Sequence, residues 1–467
     1  MDEFTGSLSE TFPLAGDLGS IALDERGVTH PRAPRGGPTV HTPYEEITHV
    51  AASPRAVWIG ARRSVYLLPR ALFAAEHQPD RLVRALCDRI GDLPNGDARL
   101  ARMAGIDARG RAATNTPVTW ALVGACLSVF VFQLLMSPTL IELGSYDARL
   151  VADGDWWRLF TANLLHAFPT FPLHLGLNLL GLIALGTLLE RPLGPARTLL
   201  VMGVSGVAAM ASAGVAGQGT VVGVSGVVFG LLGALTWLEL RHGSELPAWW
   251  RVPRRAFWWM YAVSAALALL FPFLIAGEAH LGGVLGGAAA AALATRSFGS
   301  PAPRWVRLGA GSVVVLLVAA LLAAAGELAQ PGDYRVRLTL RRAELPQIPA
   351  VELNNRAWMI AIDDTSSPEL LSAALRMAER AVEETQRNEP TLLDTLAELQ
   401  FLLGRTPDAL VSIEAAIELD PDETYYQEQH RRFRGERPDR PPAPGPADPE
   451  RGAGSETEPR GDPGLEV

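Results

Sequence analysis

The sequence predicts a mostly α-helical protein: a polytopic membrane helical bundle, with a small β-rich domain before it and an α-helical domain after it. Three observations predict this class. Apolar residues make up 48% of the 467, and they concentrate between about residues 118 and 327, leaving charged flanks. Residues 20–70 alternate apolar and polar positions between Gly, Pro and Asp, as in a small antiparallel sheet. Beyond residue 350 the apolar positions recur at helical spacing, in paired segments.

The chain opens on MDEFTGSLSE, which is acidic and polar and does not read as a cleavable signal peptide. Insertion is therefore expected to use internal helices. Residues 1–18 are expected to be a disordered leader, and 19–110 a soluble β-rich domain. Its strand-like stretches are SIALDERGVTH, PTVHTPYEEITHVAAS and RAVWIGARRSVYLLPRALF. PDRLVRALCDRIGDL (79–93) then places Leu82, Leu86 and Ile90 on one face of an amphipathic helix. Strands closed by one helix resemble a pleckstrin-homology-like (PH-like) fold, in architecture alone.

A spanning helix needs about 20 apolar residues. Charges, Pro and Gly divide the apolar block into spans near 118–141, 170–189, 197–216, 221–240, 257–275, 279–296 and 306–326. Arginines mark alternate loops. Arg102, Arg109 and Arg111 precede the first span, and Arg191 and Arg197 lie between the second and third. Arg251, Arg254 and Arg255 follow the fourth, and Arg296, Arg304 and Arg307 follow the sixth. The other loops carry fewer, chiefly Arg149 and Arg158 in the first. The positive-inside rule then places the N-terminus in the cytoplasm, and an odd number of spans puts the C-terminal region on the opposite side. RVRLTLRR (335–342), just after the last span, weighs against that export.

In the C-terminal region, Ala374-Leu375 recurs as Ala409-Leu410 and Ala381 as Ala416, an offset of about 35 residues. With the Asp-Pro that closes the second pair, residues 350–430 resemble two tetratricopeptide-type (TPR) repeats, whose concave face usually takes a protein or peptide segment. A partnerless stabilising cap is the other reading. Residues 435–467, rich in Pro, Gly, Asp, Glu and Arg, are expected to be a disordered tail.

The net charge of −9, and the absence of a basic stripe with interleaved aromatics, argue against a nucleic-acid partner. Cys87 falls in a soluble helix and Cys126 in an apolar run, so neither a disulfide nor a metal site is expected, and no cofactor is implied.

Polar side chains inside spans are costly and draw attention first. VVGVSGVVFGLLGAL (221–235) carries Ser225 between Gly223 and Gly226. Serine beside glycine in a membrane helix is commonly a packing residue. Here it has company at the same depth. HLGLN puts His174 and Asn178 one turn apart at the start of the second span, and EAHLGGVLGG puts His280 at the start of the sixth. Alternate spans run the same way, so all four residues lie near one membrane surface. Acyl transfer needs a nucleophile, a base beside it and donors for the oxyanion. Ser225 and His280 supply the first two, and His174, Asn178 and the Ser225 N–H supply the donors. Gly223 and Gly226 permit an unusual backbone at the nucleophile. Gly283 and Gly287 let the sixth span press on the fourth. Phe229, one turn below Ser225, offers a shelf for the His280 ring.

These segments, GVSGVVFG (223–230), HLGLN (174–178), AHLGG (279–283) with its GxxxG, and WWR (156–158), resemble the rhomboid family of intramembrane serine proteases. The resemblance covers about residues 118–296, with 306–326 as a seventh span beyond the six-span core. It implies a serine endopeptidase with Ser225 as nucleophile and His280 as general base, and His174 and Asn178 at the oxyanion. Trp157 and Arg158 would order a first outer loop lying partly in the membrane face. No acidic third member is nominated, and Glu278 is not cast. Phe229 stands where many relatives have Tyr, which keeps a ring stack and loses a hydroxyl. HAFPTFPLH (166–174) is longer than usual between its histidines, which leaves His166 without an assigned role. The implied partners are the lipid bilayer and transmembrane protein substrates with helix-weakening residues, in a bacterial inner membrane. The competing reading is a catalytically inactive rhomboid-like protein that binds or sequesters membrane clients; loss of Ser or His would favour it, and both are present. A transporter would need paired broken helices or internal repeat symmetry, which the sequence lacks.

Overall fold

A computed structural model describes residues 10–437 and 439, except 17, 32–37, 114, 137–138, 167–171, 272–275 and 331–332. The first half of the expected leader and nearly all of the tail from 435 thus lie outside the described residues. The chain divides into two compact units, Met1–Ala324 and Ala325–Val467.

The first unit starts with seven antiparallel strands in two sheets. One is the meander β1 (Glu10–Pro13), β2 (Ser20–Leu23), β3 (Gly27–Pro31) and β4 (Thr39–Pro43). The other is β5 (Ile47–Ala52), β6 (Ala56–Ala61) and β7 (Val65–Pro69). Alternation sends Phe12, Ile21, Leu23, Val28, Val57 and Ile59 inward. Helix α1 (Gln78–Gly91) covers this core with Leu82, Leu86 and Ile90, the face expected from the sequence. One expectation is corrected. Residues 10–13 are not leader but β1, paired in register with β2 (Phe12 opposite Ile21). Burial of Phe12 and Leu14 offsets the cost of ordering the segment. Helix α2 (Gly96–Ala112), which the sequence did not announce, belongs to the same domain. Its Arg99 donates to the carbonyls of Tyr44, Glu45 and Ile47 at 2.9–3.1 Å.

The helical bundle follows. Helix α3 (Pro117–Met136) leads to short α4 (Thr139–Gly144), α5 (Ala148–Ala152) and α6 (Arg158–Thr161), which make up the first long loop. Then come α7 (Pro172–Leu193), α8 (Pro195–Val215), α9 (Ser225–His242), α10 (Arg254–Leu270), α11 (Gly277–Ala294) and α12 (Arg304–Ala329). Among the described residues, four stretches are long and apolar enough to cross a membrane: the α2–α3 run, α7, α8 and α12. Helices α9, α10 and α11 are shorter, at 18, 17 and 18 residues. Large apolar side chains such as Leu135, Trp258, Trp259, Leu269 and Val315 are exposed on the outside of the bundle. Lipid rather than water suits such an exterior. Inside, small residues set the spacing. An added Cβ on Gly283 or Gly287 of α11 would run into the carbonyl of Gly226 or Gly230 of α9. Only glycine lets these two backbones approach so closely.

The second unit holds the end of α12, then α13 (Tyr334–Glu344), α14 (Ala350–Ala361), α15 (Pro368–Glu384), α16 (Pro390–Leu402), α17 (Thr406–Leu419) and α18 (Thr424–Phe433). From α14 to α18 each helix packs on the next, around Leu353, Ala374, Ala378, Leu393, Ala397, Ala409 and Ile413. RVRLTLRR falls within α13.

Candidate active site

The N-terminal ends of α7, α9 and α11 carry the four polar residues singled out in the sequence. Ser225 is the first residue of α9, and His280 lies in the first turn of α11. His280 Nε2 is 3.0 Å from Ser225 Oγ, within hydrogen-bonding distance. One face of the imidazole stacks on Phe229, with ring centroids 4.1 Å apart and planes inclined by 23°. The shelf is thus one helical turn from Ser225 on the same helix, and a phenyl ring suffices for it.

The glycines beside Ser225 do separate jobs. Gly223 adopts φ +124°, a region that residues with a Cβ avoid. A Cβ there would also meet the His174 ring at 3.2 Å, with Ser225 Oγ 3.8 Å from the same point. His174 and Ser225 therefore flank the turn that opens α9. Gly226 faces Ala209 of α8, with no room for a side chain between them. Asn178, nearly two turns into α7, is buried, and its Nδ2 has no hydrogen-bond partner among the described residues. His174 Nδ1 and His280 Nδ1 are likewise buried without one. The cluster thus keeps donors and acceptors in reserve around Ser225, and buried polar groups in folded proteins seldom stay unpaired without a purpose.

The first long loop braces this arrangement. Arg158 is fully buried and donates to Asp155 at 2.9 Å and to the carbonyls of Glu142 and Ser145 at 2.8 Å. Trp157 donates through Nε1 to Leu143 O at 3.3 Å. The braced loop then holds the segment before Ser225: Tyr146 and Val221 exchange backbone hydrogen bonds of 2.9 and 3.0 Å, and Gly223 N–H donates to Ala162 O at 2.9 Å. Sequence reasoning assigned Trp157 and Arg158 to this loop but missed Tyr146, Val221 and Ala162. Backbone pairings between loops leave no side-chain signature to find.

His166 has a place as well. Its ring centroid is 5.5 Å from that of His174. Gln133 of α3 clamps its backbone twice, accepting from His166 N–H at 3.0 Å and donating to His166 O at 2.7 Å. A buried glutamine in an apolar helix was a readable signal that the sequence reading passed over. The stretch between the two histidines, 167–171, lies outside the described residues. Glu278 is exposed and hydrogen-bonded to Gln218, and it makes no contact with His280 among the described hydrogen bonds. No group of three or more His, Cys, Asp or Glu among the described residues could hold a metal ion.

Fold and site together define a class: a polytopic helical bundle with a serine–histidine pair at the converging ends of two of its helices. Residues 153–297 match the family model described as Rhomboid domain. The chain is 28% identical over 299 residues to Rhomboid protease GluP of Bacillus subtilis, a match that takes in 59% of this chain and 56% of that one. It is 32% identical over 157 residues to RHOMBOID-like protein 5 of Arabidopsis thaliana, covering 32% and 48%. It is 30% identical over 182 residues to Rhomboid protease GlpG of Klebsiella pneumoniae, covering 38% and 62%. The chain spans about half the length of the relatives it matches. These matches support the rhomboid family for the membrane core, and with the apolar helices they mark an integral, multi-pass membrane protein.

Proposed function

We propose that the protein is an intramembrane serine protease that cleaves transmembrane segments of other membrane proteins, with Ser225 as nucleophile and His280 as general base. The observation that carries this reading is the 3.0 Å approach of His280 Nε2 to Ser225 Oγ. A serine hydroxyl is a poor nucleophile until a neighbouring imidazole takes its proton. As Ser225 Oγ bonds to the scissile carbonyl carbon, its proton passes to Nε2. The oxyanion that forms lies at the N-terminus of α9, where the helix dipole and the free N–H groups favour negative charge. His174, Asn178 and the Ser225 N–H are the proposed donors. When the C–N bond breaks, His280 returns the proton to the leaving amine. Water then attacks the acyl-enzyme with His280 again as base. A substrate helix must unwind for its carbonyls to be reached, which favours helix-weakening residues near the cut.

The competing reading is an inactive rhomboid-like protein that binds membrane clients. The test is to reconstitute the protein with a model transmembrane substrate and compare it with Ser225→Ala. Cleavage that disappears in the variant supports the protease; no cleavage by either form supports the client-binding reading.

The orientation proposed is a cytoplasmic N-terminus in a bacterial inner membrane, with seven spans and an exported C-terminal region. Reporters fused after residues 110 and 430 should read on opposite sides. Two cytoplasmic readings would remove one span. The second unit is proposed to be TPR-like, with a protein or peptide partner; its consecutive helix pairs and the recurrence near 35 residues support this. The strands and α1 of the first domain support the PH-like reading.

A further inference from the structure

Where the β-rich domain meets the far ends of α9 and α10, there is a cavity of about 540 Å³. Four arginines line it from three directions: Arg62 and Arg63 from the β6–β7 turn, Arg102 from α2 and Arg254 from the first turn of α10. None of the four guanidinium groups has a carboxylate partner among the described residues, and no Asp or Glu lines the cavity. Arg254 is half-buried, and its Nε is buried with no acceptor among the described residues. Three carboxylates near this junction are committed: Glu239 to Arg251 at 2.6 Å, Glu245 to His242 at 3.0 Å and Asp107 to His49 at 2.9 Å. Four like charges gathered around one cavity repel one another, and no ion pair among the described residues offsets this.

The remaining lining adds one available hydroxyl donor and one apolar surface. Ser244 can donate a hydrogen bond into the cavity, whereas the Thr48 hydroxyl, also in the lining, already donates to Gly60 O at 3.1 Å; exposed Leu240, from the last turns of α9, adds a greasy edge. Cationic forks, a hydroxyl donor and an apolar rim at the end of a membrane helix match a phosphate group on an amphiphile.

We infer that this cavity is a binding site for a phosphate-bearing anion, with the headgroup of an anionic phospholipid as the ligand its apolar edge favours. The shared chemistry is a phosphate oxygen cluster received by guanidinium groups, and a free polyphosphate could supply it too. A bound anion would tie the β-rich domain to α9 and α10 by neutralising arginines that come from both sides of the junction. The inference is independent of the proposed proteolysis, because its readout is binding.

The rival explanation is that these arginines serve only to orient the protein in the membrane. The experiment therefore uses two quadruple variants of the full chain. One is R62Q/R63Q/R102Q/R254Q. The other removes four exposed arginines elsewhere, R191Q/R296Q/R304Q/R307Q. Each protein is placed in nanodiscs of zwitterionic lipid doped with a trace of fluorescent phosphatidylglycerol or cardiolipin, and lipid retention and thermal unfolding are measured. The cavity variant should bind anionic lipid about tenfold or more weakly than wild type and lose its stabilisation by that lipid, while the control variant behaves like wild type. Exposed Arg63→Gln alone should show a partial loss, which guards against a misfolded quadruple variant. Addition of inositol hexakisphosphate distinguishes the sources. Competition identifies a site that a free polyphosphate can fill, and retention of lipid in its presence assigns the site to the lipid. Equal losses in both quadruple variants, or no loss in the cavity variant, would overturn the inference.

Discussion

The two ends of α9 handle buried polarity in opposite ways. At its start, Ser225 meets His280, while Asn178 Nδ2, His174 Nδ1 and His280 Nδ1 remain buried without partners among the described residues. At its other end, Glu239 is 3% exposed and is gripped by fully buried Arg251 through contacts of 2.6, 3.2 and 3.2 Å. Arg251 also donates to Ala61 O of β6 at 2.6 Å, so its fork is filled. A satisfied network fixes one structure and has nothing left for a ligand. An unsatisfied one, held in place by glycines and a braced loop, leaves hydrogen-bonding capacity free, which under the proposed mechanism would serve the charge that develops on the oxyanion. The same helix thus separates a proposed reactive end from an anchoring end, and substitutions at the two ends should fail in different ways.

The largest effect is expected at the reactive end. Ser225→Ala and His280→Ala should each bring cleavage of a reconstituted transmembrane substrate to background. Because the two residues act as one unit, the double variant should be no worse than either single one. Thermal unfolding should scarcely change, since no buried charge is left alone. Appreciable cleavage by the serine variant would end the proposed mechanism.

Next comes the anchoring end, read in stability rather than rate. Arg251→Ala strands Glu239 as an uncompensated buried charge, a change that costs about 3–5 kcal/mol in comparable pairs. Thermal unfolding in detergent should drop steeply. Replacing both partners with apolar residues, as in Arg251→Met with Glu239→Leu, should recover much of the loss. A double variant as unstable as the single one would mean that the contact to Ala61, rather than the ion pair, holds the junction.

Asn178→Ala returns to the reactive end with a smaller effect. Loss of one oxyanion donor costs about 100-fold in turnover in well-studied hydrolases. His174 and the Ser225 N–H remain, so about 100-fold is the upper expectation. Unfolding should be unaffected or slightly improved, because Nδ2 has no partner among the described residues to lose. A large stability loss with unchanged turnover would move Asn178 into the anchoring class.

The reactive end was legible in the sequence, and the anchoring end was not. Ser225, His174, Asn178 and His280 announce themselves as costly residues at one depth in apolar helices, and depth follows from counting residues along each span. The glycines could be read the same way, since Gly283 and Gly287 repeat at one turn. Arg251, by contrast, looked like one more topology-setting loop arginine, and its partner Ala61 is 190 residues away in the sequence. Helix α2 escaped notice because its buried residues are few: Gly96, Met103, Ile106 and Gly110. That makes too thin a stripe to stand out. β1 was lost to its polar surroundings, although Phe12 and Leu14 were there to be counted.

The smallest effect is a pH dependence at the junction between the β-rich domain and the bundle. His49 of β5 is fully buried. Its Nδ1 accepts from the Ala248 N–H at 3.1 Å, so the ring proton sits on Nε2 and is donated to Asp107 at 2.9 Å. The edge of the ring lies against Trp249, with centroids 5.3 Å apart. Burial holds the His49 pKa below the ordinary histidine value and outweighs the pull of Asp107 in the other direction. The folded protein therefore keeps His49 neutral at a pH where the unfolded chain has begun to protonate it. Stability from this site is complete above the unfolded pKa of about 6.5 and declines as the pH falls from there toward the folded value, by at most about 1.4 kcal/mol per pH unit. Protonation of Nδ1 would also deny Ala248 its acceptor. Thermal unfolding measured at pH 7.5 and 5.5 should show a larger loss on acidification in wild type than in His49→Ala, which starts lower but lacks this step. Equal losses in the two proteins would place the acid sensitivity elsewhere and leave His49 as packing.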